Sequence, residues 1–591
     1  MTNLTLPDEG GGKGRSALAL WLLLGFVIAL ALVPDGAVLR SKIVWAQALL
    51  LGAACVALGE QALRGTLRLH WVGFLFAGAA VVSVAAVQLQ FPAGLVSRSL
   101  ARDEVLRLAI LPLGTWTVGS SLRTPADRRR LLLVLQLSVI PVAGYALAQN
   151  LAGVLDLPID RAARAASTFG NPLFLAAFLV LATPLCAAGA LFGSGANRWA
   201  GALATGLALP ALLAAQSRWA WLGFAISLAV GVVLLAPDRR TRRNLLIALG
   251  VAGAIIVAIT IPVLTRPQSH ALIWRDTWAM IQSAPWGIGP GQFPVAFLPY
   301  ASPELLEAYP RPEVIVNDAH SEPLQILAEL GWPGLLALLL SVTLLARSAV
   351  ATLRRVATDD AERPMLVAGL AALCGAGVQS LGSPDLRFVS STMAFAAVVG
   401  FCASFAPPRT WTVRGGRPAR AILALAALAG LVLVAQKSWD RHQIAKLIRP
   451  IPAFQSSPGN RALIASLQED VAEHPDDPER HYTLGVALAA EYQYAAAATA
   501  FRASARLAPG NPGVLRSLGI AEGLAGEFSS AMSNLRTSLG VSPDDPTALY
   551  VLAYAAYGMG DLRTCIESLE ALLVLEPEHP QGRLLLARLR E

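Results

Sequence analysis

From residue 16 to residue 436 the chain repeats apolar runs close to 20 residues long. A helix needs about 20 apolar residues to cross the hydrocarbon of a bilayer, where each backbone polar group must be satisfied within its own segment. About thirteen such runs can be read: 16–33, 43–60, 71–88, 105–122, 131–149, 171–192, 199–215, 219–236, 244–264, 334–352, 365–382, 389–406 and 419–436. Charged residues make up only 15% of the 591, against about 25% in a soluble chain. The expected fold class is all-α, a polytopic bundle of about 12–13 spans. No clear small-residue cleavage site follows the first run, so it reads as a retained anchor and not as a signal peptide.

Lys and Arg mark the cytoplasmic side of such a bundle. With residues 1–15 inside, the inner segments collect Arg123 and Arg128, the group from Arg239 to Arg243, the group from Arg347 to Arg363, and Arg409 to Arg420. The formal net charge of +8 is then mostly a topology signal, and no nucleic-acid partner is expected. The same parity places loop 265–333 outside the cytoplasmic membrane, together with everything after 437. The weakest span is the one carrying Arg107. The five cysteines are scattered, and no H-E-x-x-H, C-x-x-C, D-x-D or Walker loop is present, so no metal or disulfide framework is expected.

Past a linker at 437–460 the apolar runs stop and a period begins. Pro475, Pro509, Pro543 and Pro577 are 34 residues apart, and so are Pro478, Pro512, Pro546 and Pro580. Leu484-Gly485, Leu518-Gly519 and Leu552-Ala553 recur with the same step. So do the small residues Ala497, Ala531 and Cys565 and the large ones Phe501, Leu535 and Leu569. A strict 34-residue period predicts helix–turn–helix units stacked into an α-solenoid. The segment 461–591 resembles the tetratricopeptide repeat. That resemblance implies a scaffold whose concave face can take a protein partner.

Loop 265–333 carries the chemistry. In "HALIWRDTWAMIQSAPWGIGPGQF" (270–293) the spacing predicts a helix over 271–282, with Leu272, Trp278 and Ile281 on one side and Arg275 within it. Gly287, Gly289 and Gly291 then make a turn, whose amides either serve the turn alone or hold a phosphate. In "NDAHSEPLQILAELGWPG" (317–334) Ser321-Glu322-Pro323 starts a short helix, Gly331 ends it, and Pro333 opens the next span. His320 stands just before that helix. An imidazole there is either a general base, since it titrates near neutrality, or an ordinary solvated histidine. His270 is its rival. Glu322 and Glu329 read as capping or solvating carboxylates. Asp385, in "SPDLR", is either a turn residue or an orienter of an arginine or of the histidine. Arg218 sits in "QSRW" with almost no loop around it, and an arginine at such depth is costly and usually functional.

Four elements resemble the bacterial O-antigen ligase and polymerase superfamily: "RAASTFGNPLFLAAFL" (164–179), "AAQSRWAWLGF" (214–224), "WRDTWAMIQSAPWGIGPGQF" (274–293) and "AHSEPLQILAELGWPGL" (319–335). The resemblance covers roughly residues 15–406, and departs from the family in having Ser321 where Asn usually follows the histidine. It implies a metal-independent membrane glycosyltransferase (16–436) that needs no cofactor. Its donor would be an undecaprenyl-diphosphate-linked glycan and its acceptor the hydroxyl of a glycolipid such as lipid A-core. Polymerisation of a polysaccharide, or transfer to a protein, is the alternative within the same chemistry. His320 is implied as the base. Arg218 and Arg275, then Arg164 and Arg266, are implied as binders of the diphosphate, with Glu322 and Asp385 in support. The implied setting is the inner membrane, with the catalytic loop and repeats in the periplasm.

Overall fold

The computed structural model describes the chain apart from residues 1–16, 34–40, 89–97, 156–163, 265–269, 309–315, 317, 413–415, 448–457 and single positions at 492, 560, 578, 580, 581, 584, 587, 588, 590 and 591. Helices dominate. They are α1 (Leu18–Leu32), α2 (Ser41–Arg64), α3 (Val72–Gln88), α4 (Arg98–Ser121), α5 (Pro125–Leu155), α6 (Pro172–Phe192), α7 (Gly195–Ala214), α8 (Arg218–Leu235) and α9 (Arg239–Leu264). Then come α10 (His270–Ser283), the short α11 (Phe293–Ala296) and α12 (Pro303–Ala308), α13 (Glu322–Arg355), α14 (Arg363–Gln379), α15 (Val389–Ala403) and α16 (Gly416–Leu447).

Each of the thirteen runs read from the sequence falls on one of these helices to within a few residues. Among the described residues, five stretches are both long and apolar enough to cross a membrane: Trp45–Arg64, Pro125–Leu151, Pro172–Phe192, Arg218–Leu235 and Glu322–Arg355. α1, α3, α14 and α15 are apolar but shorter. The helices close on one another through glycine. A Cβ on Gly223 of α8 would lie 2.4 Å from the Gly375 carbonyl oxygen of α14. A Cβ on Gly400 of α15 would lie 2.7 Å from the Thr115 carbonyl oxygen of α4. α16 continues as helix to Leu447, into the stretch read as linker.

The one departure from an all-helical chain is a strand pair. β1 (Thr66–Leu69) and β2 (Arg409–Thr412) run antiparallel with Leu67 opposite Trp411. The pair ties the loop after α2 to the loop after α15. Arg123 reaches Glu60 at 3.3 Å, and Arg128 bonds Glu362 and the Ser404 carbonyl, so the loops after α4, α13 and α15 share one end of the bundle with the end of α2.

The C-terminal helices are α17 (Pro458–Glu473), α18 (Pro478–Ala490), α19 (Tyr494–Leu507), α20 (Pro512–Ala525), α21 (Phe528–Val541), α22 (Pro546–Gly558) and α23 (Leu562–Leu575), each packed on the next. The 34-residue period has a local cause. Asp477, Asn511 and Asp545 cap α18, α20 and α22 by accepting backbone N–H bonds, and each is followed by a proline at the first helical position, where its missing donor costs nothing. Gly485 and Gly519 leave room for Phe501 and Leu535, whose carbons lie 2.6 and 2.7 Å from where a Cβ would stand.

Candidate functional site

At the opposite end of the bundle four loops converge. The segment after α5 docks on the end of α7: Ala165 N donates to the Ala214 carbonyl (3.0 Å) and Arg164 Nε to the Ala215 carbonyl (3.3 Å). Ala215 is three residues before Arg218, the first residue of α8, which Ser217 caps. Gln216 between them has φ 51°, a left-handed conformation rare for a side-chain-bearing residue and a mark of built-in strain. Trp219 lies against the loop after α14, so closely that a Cβ on Gly382 would meet its ring.

His320 shares that left-handed strain, at φ 47°. Asp318 Oδ1 holds the strained turn by accepting from His320 N (2.9 Å), and lies 3.4 Å from Nδ1 of the imidazole. Ala319 N donates to Gln325 Oε1 (2.7 Å), which ties the turn to the first turns of α13. The imidazole stacks on that of His270, ring centres 4.5 Å apart and planes 14° from parallel. Burial, then the adjacent His320, pushes His270 down to about 4, and Arg218 acts on it in the same direction. Arg218 is therefore within electrostatic reach of His270.

Arg275 takes a different position. It is half-exposed, and its guanidinium bonds Asp276 Oδ1 (3.0 Å), Glu304 Oε2 (3.2 Å) and the Ser302 hydroxyl. Asp276 is buried and accepts from Ser302 N (2.8 Å) and Ser302 Oγ (2.7 Å). The buried side of α10 is Ile273, Asp276, Thr277, Met280 and Ile281, whereas Trp278, expected there, is exposed. The stripe is turned because Asp276 goes inward to its two Ser302 bonds. Arg266 lies outside the described residues.

The glycine turn does not offer its amides outward. Ile288 N and Gly289 N donate to the carbonyls of Ala328 and Glu329 (both 3.0 Å), and Trp332 N returns to the Pro285 carbonyl (3.2 Å). Gly291 N and Phe293 N donate to the Glu329 carboxylate (2.8 and 3.3 Å). The phosphate reading of this turn gives way to a structural one: its donors satisfy the break in α13, where Gly331 has φ 66° and ψ −166°.

Behind the turn lies a buried charge network, in which two carboxylates expected to cap or solvate a helix take part. Glu322 and Glu329 are buried instead, because both face the packed side of α13. Arg387 Nη1 binds Glu329 Oε1 (2.9 Å) and lies 3.7 Å from Glu104 Oε1, and Glu104 in turn pairs with Arg107. Gln325 Nε2 also donates to Glu329 (2.8 Å). Asp385 is bonded by the Ser383 hydroxyl (2.8 Å), and burial pushes it up to about 7. Arg107, the one charge in the apolar run 105–122, with Glu104 three residues before it, was the available signal for this network.

The segment from mid-α7 to the break in α13 thus carries the histidine pair, Arg218 and the turn that braces them. Residues 203–339 match the family model described as O-antigen ligase. The O-antigen ligase match takes in Arg218, His270, Arg275, His320, Glu322 and Glu329, and leaves Arg164 and Asp385 outside it. It supports the O-antigen ligase superfamily and, with the apolar helices, a multi-pass membrane protein with ligase- or polymerase-like, glycosyltransferase-like chemistry. No curated protein matches the chain.

Proposed function

We propose that residues 16–436 form an O-antigen ligase-like glycosyltransferase that moves a glycan from undecaprenyl diphosphate to an acceptor hydroxyl on the periplasmic face of the inner membrane. The observation that carries the reading is His320, strained, braced by Asp318 and stacked on His270, the ring that the Arg218 charge reaches. In the reaction the acceptor oxygen bonds the anomeric carbon, the bond from that carbon to the diphosphate oxygen breaks, and the acceptor proton passes to the base. His320 takes the proton through Nε2, with Asp318 beside Nδ1. Arg218, with Arg164 three residues from it across the Ala215 bond, takes the charge of the leaving diphosphate through guanidinium forks. Arg275, and Arg266 by resemblance, receive the donor from the outer loop. Glu322 and Asp385 support the histidine turn from beneath, and the reading assigns no metal. The second reading, a polymerase or a protein O-oligosaccharyltransferase, differs only in acceptor. We infer further that 461–591 is a periplasmic tetratricopeptide-type repeat domain that binds a protein partner or acceptor, because the Asx-Pro caps and small–large pairs repeat with its period.

The test is His320→Ala and Arg218→Ala at normal membrane abundance, with surface glycans and lipid-linked intermediates profiled. Long chains left on the lipid point to a ligase, single units to a polymerase, and intact lipopolysaccharide beside unglycosylated proteins to a protein transferase. Unchanged glycans in both variants overturn the catalytic reading.

A further inference from the structure

The start of α9 takes no part in the site above, yet it holds Arg239, Arg240, Arg242 and Arg243 within five residues. The geometry points to a binding site on this helix for an anionic bilayer phospholipid, its phosphate on the arginines and its acyl chain along Leu246 and Ile247. A cavity of about 480 Å³ is lined by Arg239, Arg242, Arg243, Leu246 and Ile247. Those positions step by three and four residues, so they share one face of the helix. Arg240, three residues before Arg243 and seven before Ile247, borders that face.

Among the described residues no ion pair involves any of the four arginines. Asp238, the nearest carboxylate in sequence, is committed elsewhere: its Oδ1 accepts from Arg240 N (2.8 Å) and Thr241 N (2.9 Å), and its Oδ2 from the Thr241 hydroxyl (2.7 Å). Like charges this close repel unless an anion is supplied from outside.

One turn further along, the same face becomes apolar and stays open: Ile247 is 58% exposed and Val251 57%. A small soluble anion would leave that apolar floor unused. A phospholipid uses both halves, the phosphodiester bonded by guanidinium forks and the acyl chain on the side chains below. Basic residues at a membrane surface attract anionic headgroups by about 1 kcal/mol each, which is about fivefold in affinity. This site stands apart from the glycosyltransferase reading and does not depend on it.

The test uses the full chain purified in a neutral detergent. Binding is measured to mixed micelles of dioleoylphosphatidylglycerol, to dioleoylphosphatidylcholine as the zwitterionic control, and to inorganic phosphate alone. Wild type should prefer the anionic lipid over both. Arg242→Gln should weaken it about fivefold, and R239Q/R242Q/R243Q together by about a hundredfold or more. Arg198→Gln, which removes the same charge from the exposed start of α7, should leave binding unchanged. An equal loss in Arg198→Gln and Arg242→Gln overturns the site in favour of diffuse surface charge. Equal binding of the zwitterionic lipid, or inorganic phosphate bound as tightly as the lipid, overturns it as well. If the triple variant fails to insert, the two single variants decide, since Arg242→Gln keeps three of the four arginines and Arg198→Gln keeps all four.

Discussion

The imidazoles of His270 and His320 lie face to face, 4.5 Å between centres, although 50 residues separate them in the chain. Two stacked imidazoles cannot both carry charge cheaply, and burial decides which yields: His270 is pushed down to about 4. His270 is thus neutral through the physiological range.

Stability should therefore depend on pH through His270. Its folded pKa lies below the ordinary value of 6.5, so the unfolded chain binds the proton first. The contribution is fully present above pH 6.5, falls as pH drops from there toward about 4, and changes no further below that. His270→Phe, which keeps a ring against His320, should flatten this part of the profile. Thermal unfolding of both proteins in detergent between pH 7 and pH 4 checks it. Parallel curves would remove His270 as the cause.

Arg275 and Asp276 are neighbours with opposite expected behaviour. Arg275 is half-exposed, and solvent screens its ion pairs with Asp276 and Glu304. Arg275→Ala should leave the unfolding temperature nearly unchanged while glycan transfer falls, if the arginine receives the donor. Asp276→Ala removes the buried carboxylate that accepts from the half-buried Ser302 N–H and hydroxyl and should cost about 1–3 kcal/mol. Unfolding and glycan profiles measured on the two variants separate a binding role from a structural one.

What the sequence made legible is local. Apolar runs gave the helices, Pro and Gly gave the start of α13 at Pro323 and its break at Gly331, and the proline period gave the C-terminal helices. The loops after α4, α13 and α15, three of those expected on one side, also share one end. What it did not reveal depends on packing between distant segments. Glu329 looks like a solvated helix residue until the turn at 287–293 is folded onto it. Asp318 looks like one of several loop carboxylates until His320 takes a left-handed backbone. Trp278 and Asp276 traded faces because a polar pair with Ser302 outweighed the apolar stripe.

Gly331 breaks α13 where the glycine turn crosses it. A Cβ there would lie 2.3 Å from the carbonyl carbon of Trp286, and the backbone is left-handed as well. Strain of this kind costs about 1–3 kcal/mol before the clash is counted. Gly331→Ala should then destabilise by about 3 kcal/mol or more, whereas Gly206→Ala, with open space around it, should be near neutral or slightly stabilising. Unfolding midpoints of the two variants, taken side by side, check the assignment.

Glu329 holds the most contacts that depend on a single side chain. Its carboxylate receives Gly291 N, Phe293 N, Gln325 and Arg387 at once. Removing one partner of a buried pair leaves the other charge uncompensated, at about 3–5 kcal/mol. Glu329→Ala should cost that much. Glu329→Gln keeps an acceptor oxygen but not the charge, and should cost less. The Gln325 amide that binds Glu329 sits on the side chain whose oxygen receives Ala319 N, so loosening Glu329 should also loosen the His320 turn. Glycan transfer by Glu329→Gln should therefore fall further than its abundance does. A double-mutant cycle with Arg387→Gln tests the coupling, with about 0.5–3 kcal/mol expected for residues in one network. Strict additivity of the two substitutions would mean that the Arg387–Glu329 contact carries no energy of its own.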